Sequence, residues 1–262
     1  MAERVLILGG TEEARRLAAA LAEGGMFEPV TALAGRTVDP APVAGSVRVG
    51  GFGGPEGLAE HLRAEGYAAL VDVTHPFARQ ISAHAAEAAR ATGVARLALV
   101  RPGWVAGAGD RWLEVGDEAE AAAALAGLGL LDGTSVFLAL GRQRIMDFAS
   151  VAGVRFLVRT VDPFGPPWPG CRVLVGRGPF DAASERALLE REGVAAMVCR
   201  NSGGVSGAAK LVAARALEVP VVMIRRPAPP DLPVAASVAE ALDWLAVTVG
   251  KTGPAALEER RS

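Results

Sequence analysis

The chain has 262 residues, of which 51% are hydrophobic, and a formal net charge of −2 at pH 7. This length suffices for one large domain or two smaller ones, each with a buried core. The near-neutral charge gives no indication of nucleic acid or of a membrane surface as a partner. No apolar run is long enough to span a bilayer, and a strand begins too near the N-terminus to leave room for a signal peptide. The two distant cysteines, without metal-ligand neighbours, predict no metal site and a reducing, cytoplasmic location.

The first strand, turn and helix of the chain form a pattern that binds anions in many proteins. An apolar run at residues 5–8 meets Gly9, Gly10 and Thr11, and a helix begins at about Glu12. A helix N-terminus presents unpaired N–H groups and a partial positive charge, and glycines let a phosphate come close. Thr11 is suited to the N-cap and Glu12 to the first turn. Two of the three glycine positions of the dinucleotide fingerprint hold other residues, so a plain strand–helix turn is the alternative.

The segment after the second predicted strand, residues 29–34, bears on the choice of cofactor. Arg36 and Thr37 follow that strand, and the first acidic residue comes only at Asp39. In dinucleotide folds an acidic residue here binds the ribose 2′-hydroxyl of NAD, whereas an arginine accommodates the 2′-phosphate of NADP. The sequence therefore predicts a preference for NADP(H), although a single loop arginine is more often simply solvated.

Two further strand ends in the first half carry candidate ligand-binding residues. Gly51 lies in a glycine run after the third strand, which would allow close backbone approach to a ligand or serve as a flexible connection. Thr74, His75 and Pro76 follow the fourth strand, and α/β proteins place ligands at the carboxyl ends of such strands. His75 is the histidine at a strand end, and we interpret it as a site residue rather than a structural hydrogen-bonding group.

The order of the predicted elements indicates the fold class. Strands alternate with helices at the spacing of βαβ units over the first hundred residues, and the pattern begins again after residue 131. This alternation predicts parallel sheets covered by helices. We expect two Rossmann-like α/β domains with a ligand cleft between them. Residues 1–130 would bind NADP(H), residues 131–250 would contribute substrate binding, and residues 251–262 would form a frayed tail.

The second half carries a cationic set of strand-end residues that is rich in hydrogen-bond donors. The segment from Asn201 to Gly204 follows a buried strand and precedes a helix, which repeats the anion-binding pattern of the first motif. Arginine binds carboxylates in a bidentate way, which suits an acidic substrate. A bare turn with solvated arginines is the alternative. The candidate substrate-binding residues are Arg142, Arg200, Asn201, Ser202, Gly203, Gly204 and Lys210.

Three motifs give the chain a resemblance to the precorrin-6A reductase family. They are residues 6–14 (LILGGTEEA), residues 72–78 (DVTHPFA) and residues 199–204 (CRNSGG) with Lys210 downstream, in the family's order over nearly the whole chain. The resemblance implies NADPH-dependent reduction of precorrin-6A to precorrin-6B in the corrin branch of cobalamin biosynthesis. It also implies a polycarboxylate tetrapyrrole as the substrate, which fits the arginine-rich second half.

The reaction implied by the resemblance needs a proton donor, because hydride addition to a conjugated C=N/C=C system builds negative charge on the macrocycle. The candidate donors are Asp147, His75 and Ser202, followed by Lys210, whose unperturbed pKa is about 10.4, and by water. The competing functions are an NADPH-dependent reductase of another acidic substrate and a non-catalytic NADP(H)-sensing module, which would leave the second anion motif without a purpose. The sequence decides neither the oligomeric state nor whether the substrate contains cobalt.

Overall fold

A computed structural model describes residues 2–35, 41–142, 144–228 and 233–250. The described residues form two compact units, and each unit is built on a six-stranded sheet. The first unit comprises the described residues of Met1–Arg101 and Pro227–Ser262, and the second unit comprises those of Pro102–Arg226. No helix within the described ranges is long and apolar enough to cross a membrane.

The elements of both units alternate as the sequence predicts. The elements before residue 100, in chain order, are β1 (Glu3–Leu8), α1 (Glu12–Gly24), β2 (Phe27–Leu33), β3 (Ser46–Val49), α2 (Pro55–Glu65), β4 (Ala69–Asp72), α3 (Arg79–Thr92) and β5 (Ala95–Leu99). They continue with β6 (Trp112–Val115), α4 (Glu118–Gly127), β7 (Thr134–Ala139), a short 3-10 helix (Met146–Phe148), β8 (Val154–Thr160), β9 (Cys171–Val175), α5 (Ala182–Arg191), β10 (Val194–Arg200), α6 (Ala209–Ala216), β11 (Val221–Ile224), β12 (Val234–Ala235) and α7 (Val238–Thr248).

Both faces of the first sheet are buried, which explains why β1 reads as an unbroken apolar run. Val5 and Ile7 pack in one core cluster with residues of α1 and α7. Leu6 and Leu8 pack in another cluster with residues of α2 and α3. Successive side chains of a strand point to opposite faces, so a strand between two helical layers needs apolar residues at every position.

The strand order of the first sheet locates the edge that is the candidate for ligand binding. The order is β12-β5-β4-β1-β2-β3, and every pair is parallel. The chain runs from β1 to one side through β2 and β3, and it then crosses to the other side at β4. The strand order thus reverses between β1 and β4, and doubly wound proteins bind ligands at the carboxyl ends of the strands at such a point.

The second sheet repeats this arrangement. Its order is β6-β11-β10-β7-β8-β9, again with parallel pairs throughout. The chain runs from β7 through β8 and β9 to one side and crosses to the other side at β10. The strand order therefore reverses between β7 and β10. The fold prediction of two Rossmann-like α/β domains with parallel sheets is confirmed.

The edge strands β6 and β12 are each followed by a helix, and these two helices, α4 and α7, begin in the same way. The N-cap side chains, Asp117 for α4 and Ser237 for α7, accept a hydrogen bond from the N–H of Glu120 and Glu240, respectively. Each glutamate in turn accepts from the N–H of the residue before the cap. Both arrangements are variants of the capping box in which the N3 glutamate accepts from the residue before the N-cap, and they fix the start of the helix through local contacts.

The boundary between the two units lies elsewhere than the sequence predicts. The sequence predicts that the first domain ends at residue 130, but β6 and α4 belong to the second unit because β6 pairs with β11. The sequence also predicts that the second domain extends to residue 250, but β12 pairs with β5 and α7 packs in the first core. Strand partners far apart in sequence leave no trace in local periodicity. The predicted tail, residues 251–262, lies outside the described residues.

Candidate functional site

Thr11 joins the start of α1 to the end of β4. It is the N-cap that the sequence predicts, and its hydroxyl accepts a hydrogen bond from the Ala14 N–H at 3.2 Å. The same hydroxyl donates to the carbonyl oxygen of Val73, the residue after β4, at 2.7 Å. Since β1 and β4 flank the reversal of strand order, this side chain fixes both walls of the candidate site.

Gly9 and Gly10 are glycines for different reasons. A Cβ on Gly9 would lie 2.6 Å from Cγ2 of Thr31, so this part of the turn packs directly on β2. Gly10 has a φ of +105°, and nothing among the described residues lies within 4 Å of the place of its missing Cβ. The first N–H groups of a helix have no intrahelical acceptor. The open space beside Gly10, next to the first turn of α1, therefore fits a phosphate group.

The loop that contains Gly51 is held by Arg48. The Arg48 guanidinium donates to the carbonyl oxygens of Gly50 at 2.7 Å and of Gly51 at 3.0 Å, and it lies 4.1 Å from the centroid of the Phe52 ring. This loop follows β3, which pairs with β2 at the same sheet edge. The predicted 2′-phosphate residues Arg36 and Thr37 lie outside the described residues, so their role stays a prediction.

Asp72 shapes the segment after β4, and sequence reasoning missed it. Its carboxylate is 5% exposed, and Oδ1 accepts hydrogen bonds from the N–H of Thr74 at 3.1 Å and from its hydroxyl at 2.7 Å. Nη2 of Arg96, on β5, lies 3.8 Å from the other carboxylate oxygen. Burial lowers the pKa of the Arg96 guanidinium. The available signal was an acid at the end of an otherwise apolar strand.

His75 and Pro76 lie at the carboxyl end of β4, as predicted. The His75 side chain is exposed, and its Nδ1 accepts a hydrogen bond from the Phe77 N–H at 3.3 Å. The neutral imidazole therefore carries its proton on Nε2. The first unit thus brings the segments of Gly9, Gly51, Thr74 and His75 to one edge of its sheet.

In the second unit, Arg200 is paired within the protein. Its Nε and Nη2 donate to Oε1 of Glu118 at 2.8 and 2.5 Å. Glu118 lies in the first turn of α4 and is 6% exposed. The carboxylate neutralises the arginine that the sequence assigned to an acidic substrate.

The residues after Arg200 also contact the protein itself. The Asn201 carboxamide and the main chain of Trp104 exchange two hydrogen bonds, and the Gly204 carbonyl accepts from Nε1 of Trp104. Nζ of Lys210 donates to the Gly207 carbonyl. Ser202 is half-buried, and its N–H donates to the Arg200 carbonyl at 2.7 Å.

Exposed arginines line the carboxyl edge of the second sheet. Arg142 follows β7, Arg177 follows β9 and Arg225 follows β11, and all three side chains are exposed. Four inter-strand steps of about 4.8 Å separate β11 from β9, so the arginines spread over about 19 Å. Sequence reasoning did not select Arg177, although its position two residues after a strand was the signal.

Asp147, a predicted proton donor, lies elsewhere. The predicted helix after β7 is a single 3-10 turn, Met146–Phe148, and Asp147 lines a cavity of about 680 Å³ against the alanine-rich face of α4. Gly129, before β7, and Val154, where β8 begins, line the same cavity. The structure therefore groups Asp147 with the amino ends of the strands rather than with their carboxyl ends.

Other chemistry-bearing groups do not gather at these edges. Within the described ranges no three His, Cys, Asp or Glu side chains come together as metal ligands. Burial raises the pKa of the Cys171 and Cys199 thiols to about 11. Both cysteines are therefore protonated thiols at neutral pH.

Comparison with known proteins agrees with the resemblance drawn from the three motifs. The profile of a family described as Precorrin-6x reductase CbiJ/CobK matches residues 4–246. The precorrin-6A reductase of Rhodococcus erythropolis is 47% identical over 244 residues, which cover 92% of this chain and 97% of that protein. The precorrin-6A reductase of Sinorhizobium sp is 45% identical over 249 residues, covering 93% and 94%. A solved structure described as CobK precorrin-6A reductase is 45% identical with a TM-score of 0.88, covering 94% of this chain and 97% of that one. The chain therefore belongs to the precorrin-6x reductase family, a family of oxidoreductases.

Proposed function

We propose that this protein reduces precorrin-6A to precorrin-6B with NADPH, in cobalamin biosynthesis. The observation that carries the proposal is the identity of 45–47% to precorrin-6A reductases over more than nine-tenths of the chain. The strand order reverses once in each unit. The reversal beside the N-terminus of α1 would supply the cofactor site that the reaction requires, and the reversal beside the exposed arginines would supply the substrate site.

The first unit, rather than the second, would bind the cofactor. The reason lies in the segments that follow β1 in the first sheet and β7 in the second. After β1, the Gly9–Thr11 turn leads into α1, a helix of 13 residues. After β7, the crossover forms only a 3-10 turn of three residues. A long helix offers a sustained dipole and a set of unpaired N–H groups to a pyrophosphate, whereas a single turn does not.

The residues of the first unit fit a dinucleotide. The main chain at Gly9, Gly10, Thr11 and Glu12 would hold the pyrophosphate, because the place of the absent Gly10 side chain is open and a Cβ there would occupy it. The loop of Gly51 and the segment of Thr74, His75 and Pro76 would line the remainder, and Arg36 and Thr37 would contact the 2′-phosphate. Bound NADPH would supply the hydride.

The second unit would bind the substrate at its arginine edge. Arg142, Arg177 and Arg225 would donate charge-assisted hydrogen bonds to the acetate and propionate carboxylates of the macrocycle. Exposed valines accompany them at the same edge, at Val161 after β8 and Val175 in β9. Apolar side chains between cations suit a ring system that carries carboxylates on its rim. Ser202 and Gly204 remain candidate substrate contacts in the loop after β10.

The proton required by the reaction would come from His75 or Ser202. His75 is exposed, and on becoming an imidazolium its ring would give up the hydrogen bond that Nδ1 accepts from the Phe77 N–H. Protonation of an imidazole near neutral pH makes it a suitable general acid. Asp147 is left out of the proposal because of its place beside α4.

The test is oxidation of NADPH by the purified protein with precorrin-6A, followed by absorbance and run beside NADH. Turnover with NADPH supports the proposal, and Arg36→Ala should then weaken NADPH binding with little change for NADH. An equal loss with both nucleotides would contradict the 2′-phosphate assignment. NADPH binding without turnover of precorrin-6A or of its cobalt form would favour a sensing module, and turnover of another acidic substrate alone would favour a different reductase.

A further inference from the structure

We propose that Asn201 and Lys210 are positioning residues that hold Trp104 against the loop after β10, and that they do not contact the substrate. We call this arrangement the Trp104 clasp, formed around Trp104 by Asn201, Gly203, Gly204, Gly207 and Lys210. The proposal rests on the proposed function only in naming the substrate, because the clasp itself is observed within the second unit.

The Asn201 carboxamide forms two hydrogen bonds with the main chain of Trp104. Its Nδ2 donates to the Trp104 carbonyl at 2.8 Å, and its Oδ1 accepts from the Trp104 N–H at 2.8 Å. The side chain thereby pairs with both polar groups of one peptide residue, as a neighbouring strand would. A carboxamide fixed at both ends is oriented by the protein rather than by a ligand.

Contacts within the protein explain two glycines of this loop, Gly203 and Gly207. A Cβ on Gly203, whose φ is +65°, would lie 2.1 Å from the Pro102 carbonyl oxygen. A Cβ on Gly207 would lie 2.9 Å from Cζ2 of Trp104. Glycine density after a strand predicts close approach of another group, and here the approaching group is the segment of Pro102 and Trp104.

Lys210 is the residue of the Trp104 clasp that packs against the face of the indole ring. It is 9% exposed, its Nζ donates to the Gly207 carbonyl at 2.6 Å, and Nζ lies 4.6 Å from the centroid of the Trp104 ring. A cation over an indole is a favourable electrostatic contact. The Trp104 Nε1 donates in turn to the Gly204 carbonyl at 2.9 Å. An ammonium enclosed in this way is shielded from the carboxylates of a macrocycle.

Asn201 also contacts the segment by which the chain leaves the second unit. Its carbonyl oxygen accepts from Nε of Arg226 at 3.2 Å. Pro102 is the first residue of this unit and Arg226 is the last. One residue therefore fastens both the entering and the leaving segment to the loop after β10, next to the candidate contacts Ser202 and Arg225.

The test uses the full chain without substrate and reads the fluorescence of Trp104, obtained as the difference between each protein and its Trp104→Phe counterpart. Lys210→Met should shift the Trp104 emission and raise its quenching by acrylamide at least twofold. Arg177→Met is the matched control, since it removes one cation from the same edge, and it should leave Trp104 emission unchanged. If Lys210→Met does not fold, Asn201→Asp, which keeps the Oδ1 acceptor, should show the same increase in quenching.

Kinetics with precorrin-6A provide the second readout. Arg177→Met should weaken the dependence of the substrate KM on ionic strength, because it removes a charge that the substrate meets, whereas Lys210→Met should retain the wild-type dependence. Unchanged Trp104 emission in Lys210→Met, or a salt dependence reduced as in Arg177→Met, would overturn the proposal. Absence of wild-type turnover would contradict the proposed function alone, since the fluorescence comparison would still decide the clasp.

Discussion

Replacement of Thr11 by valine tests whether one hydroxyl joins α1 to β4. Valine has nearly the shape of threonine but removes the oxygen that accepts from Ala14 and donates to the Val73 carbonyl. Loss of an N-cap costs about 1 kcal/mol. The Val73 carbonyl belongs to a residue that is 1% exposed, and a buried carbonyl left without a partner costs about 1–3 kcal/mol. We therefore expect Thr11→Val to lower the free energy of unfolding of the first unit by about 2–4 kcal/mol.

The assay is urea unfolding followed by circular dichroism, with Thr11→Ser as the matched control. Serine keeps both hydrogen bonds and loses one methyl group, which is worth about 0.8 kcal/mol when fully buried. The reasoning requires Thr11→Val to be clearly less stable than Thr11→Ser. Equal stability of the two variants would refute the role assigned to the hydroxyl.

Three further predictions concern the first unit. Gly10→Ala should raise the KM for NADPH and cost about 1–2 kcal/mol of stability, because its φ is +105°; an unchanged KM would contradict the proposed pyrophosphate contact at Gly10. Asp72→Ala should lower the free energy of unfolding by about 3 kcal/mol by leaving Arg96 a buried unpaired charge, and Asp72→Ala with Arg96→Met should recover part of that loss in a double-mutant cycle. Burial lowers the pKa of His61, so the folded unit binds fewer protons than the unfolded chain and loses stability as pH falls through the ordinary histidine pKa of about 6.5. His61→Gln should flatten that part of the pH–stability curve, and an unchanged slope would contradict the assignment.

Much of the first unit's site was predictable because its signals are local. The N-cap at Thr11 and the turn at Gly10 depend on residues within one helical turn. The role of Asp72 was not predictable, since it depends on Arg96, which only the pairing of β4 with β5 brings near. The two-residue strand β12 was likewise hidden, because its partner β5 lies more than a hundred residues away.

By itself, the sequence determined the parallel α/β architecture, the glycine turn and N-cap after β1 and the family of the chain, because periodicity, caps and motifs are recorded in neighbouring residues. The tertiary structure decided which side chains after the strands are exposed to solvent and which bind other parts of the protein. It turned Asn201 and Lys210 toward Trp104, paired Arg200 with Glu118 and left Arg177 exposed. The physical reason is that a side chain's partner is chosen by packing between segments about a hundred residues apart, and no local pattern contains that choice.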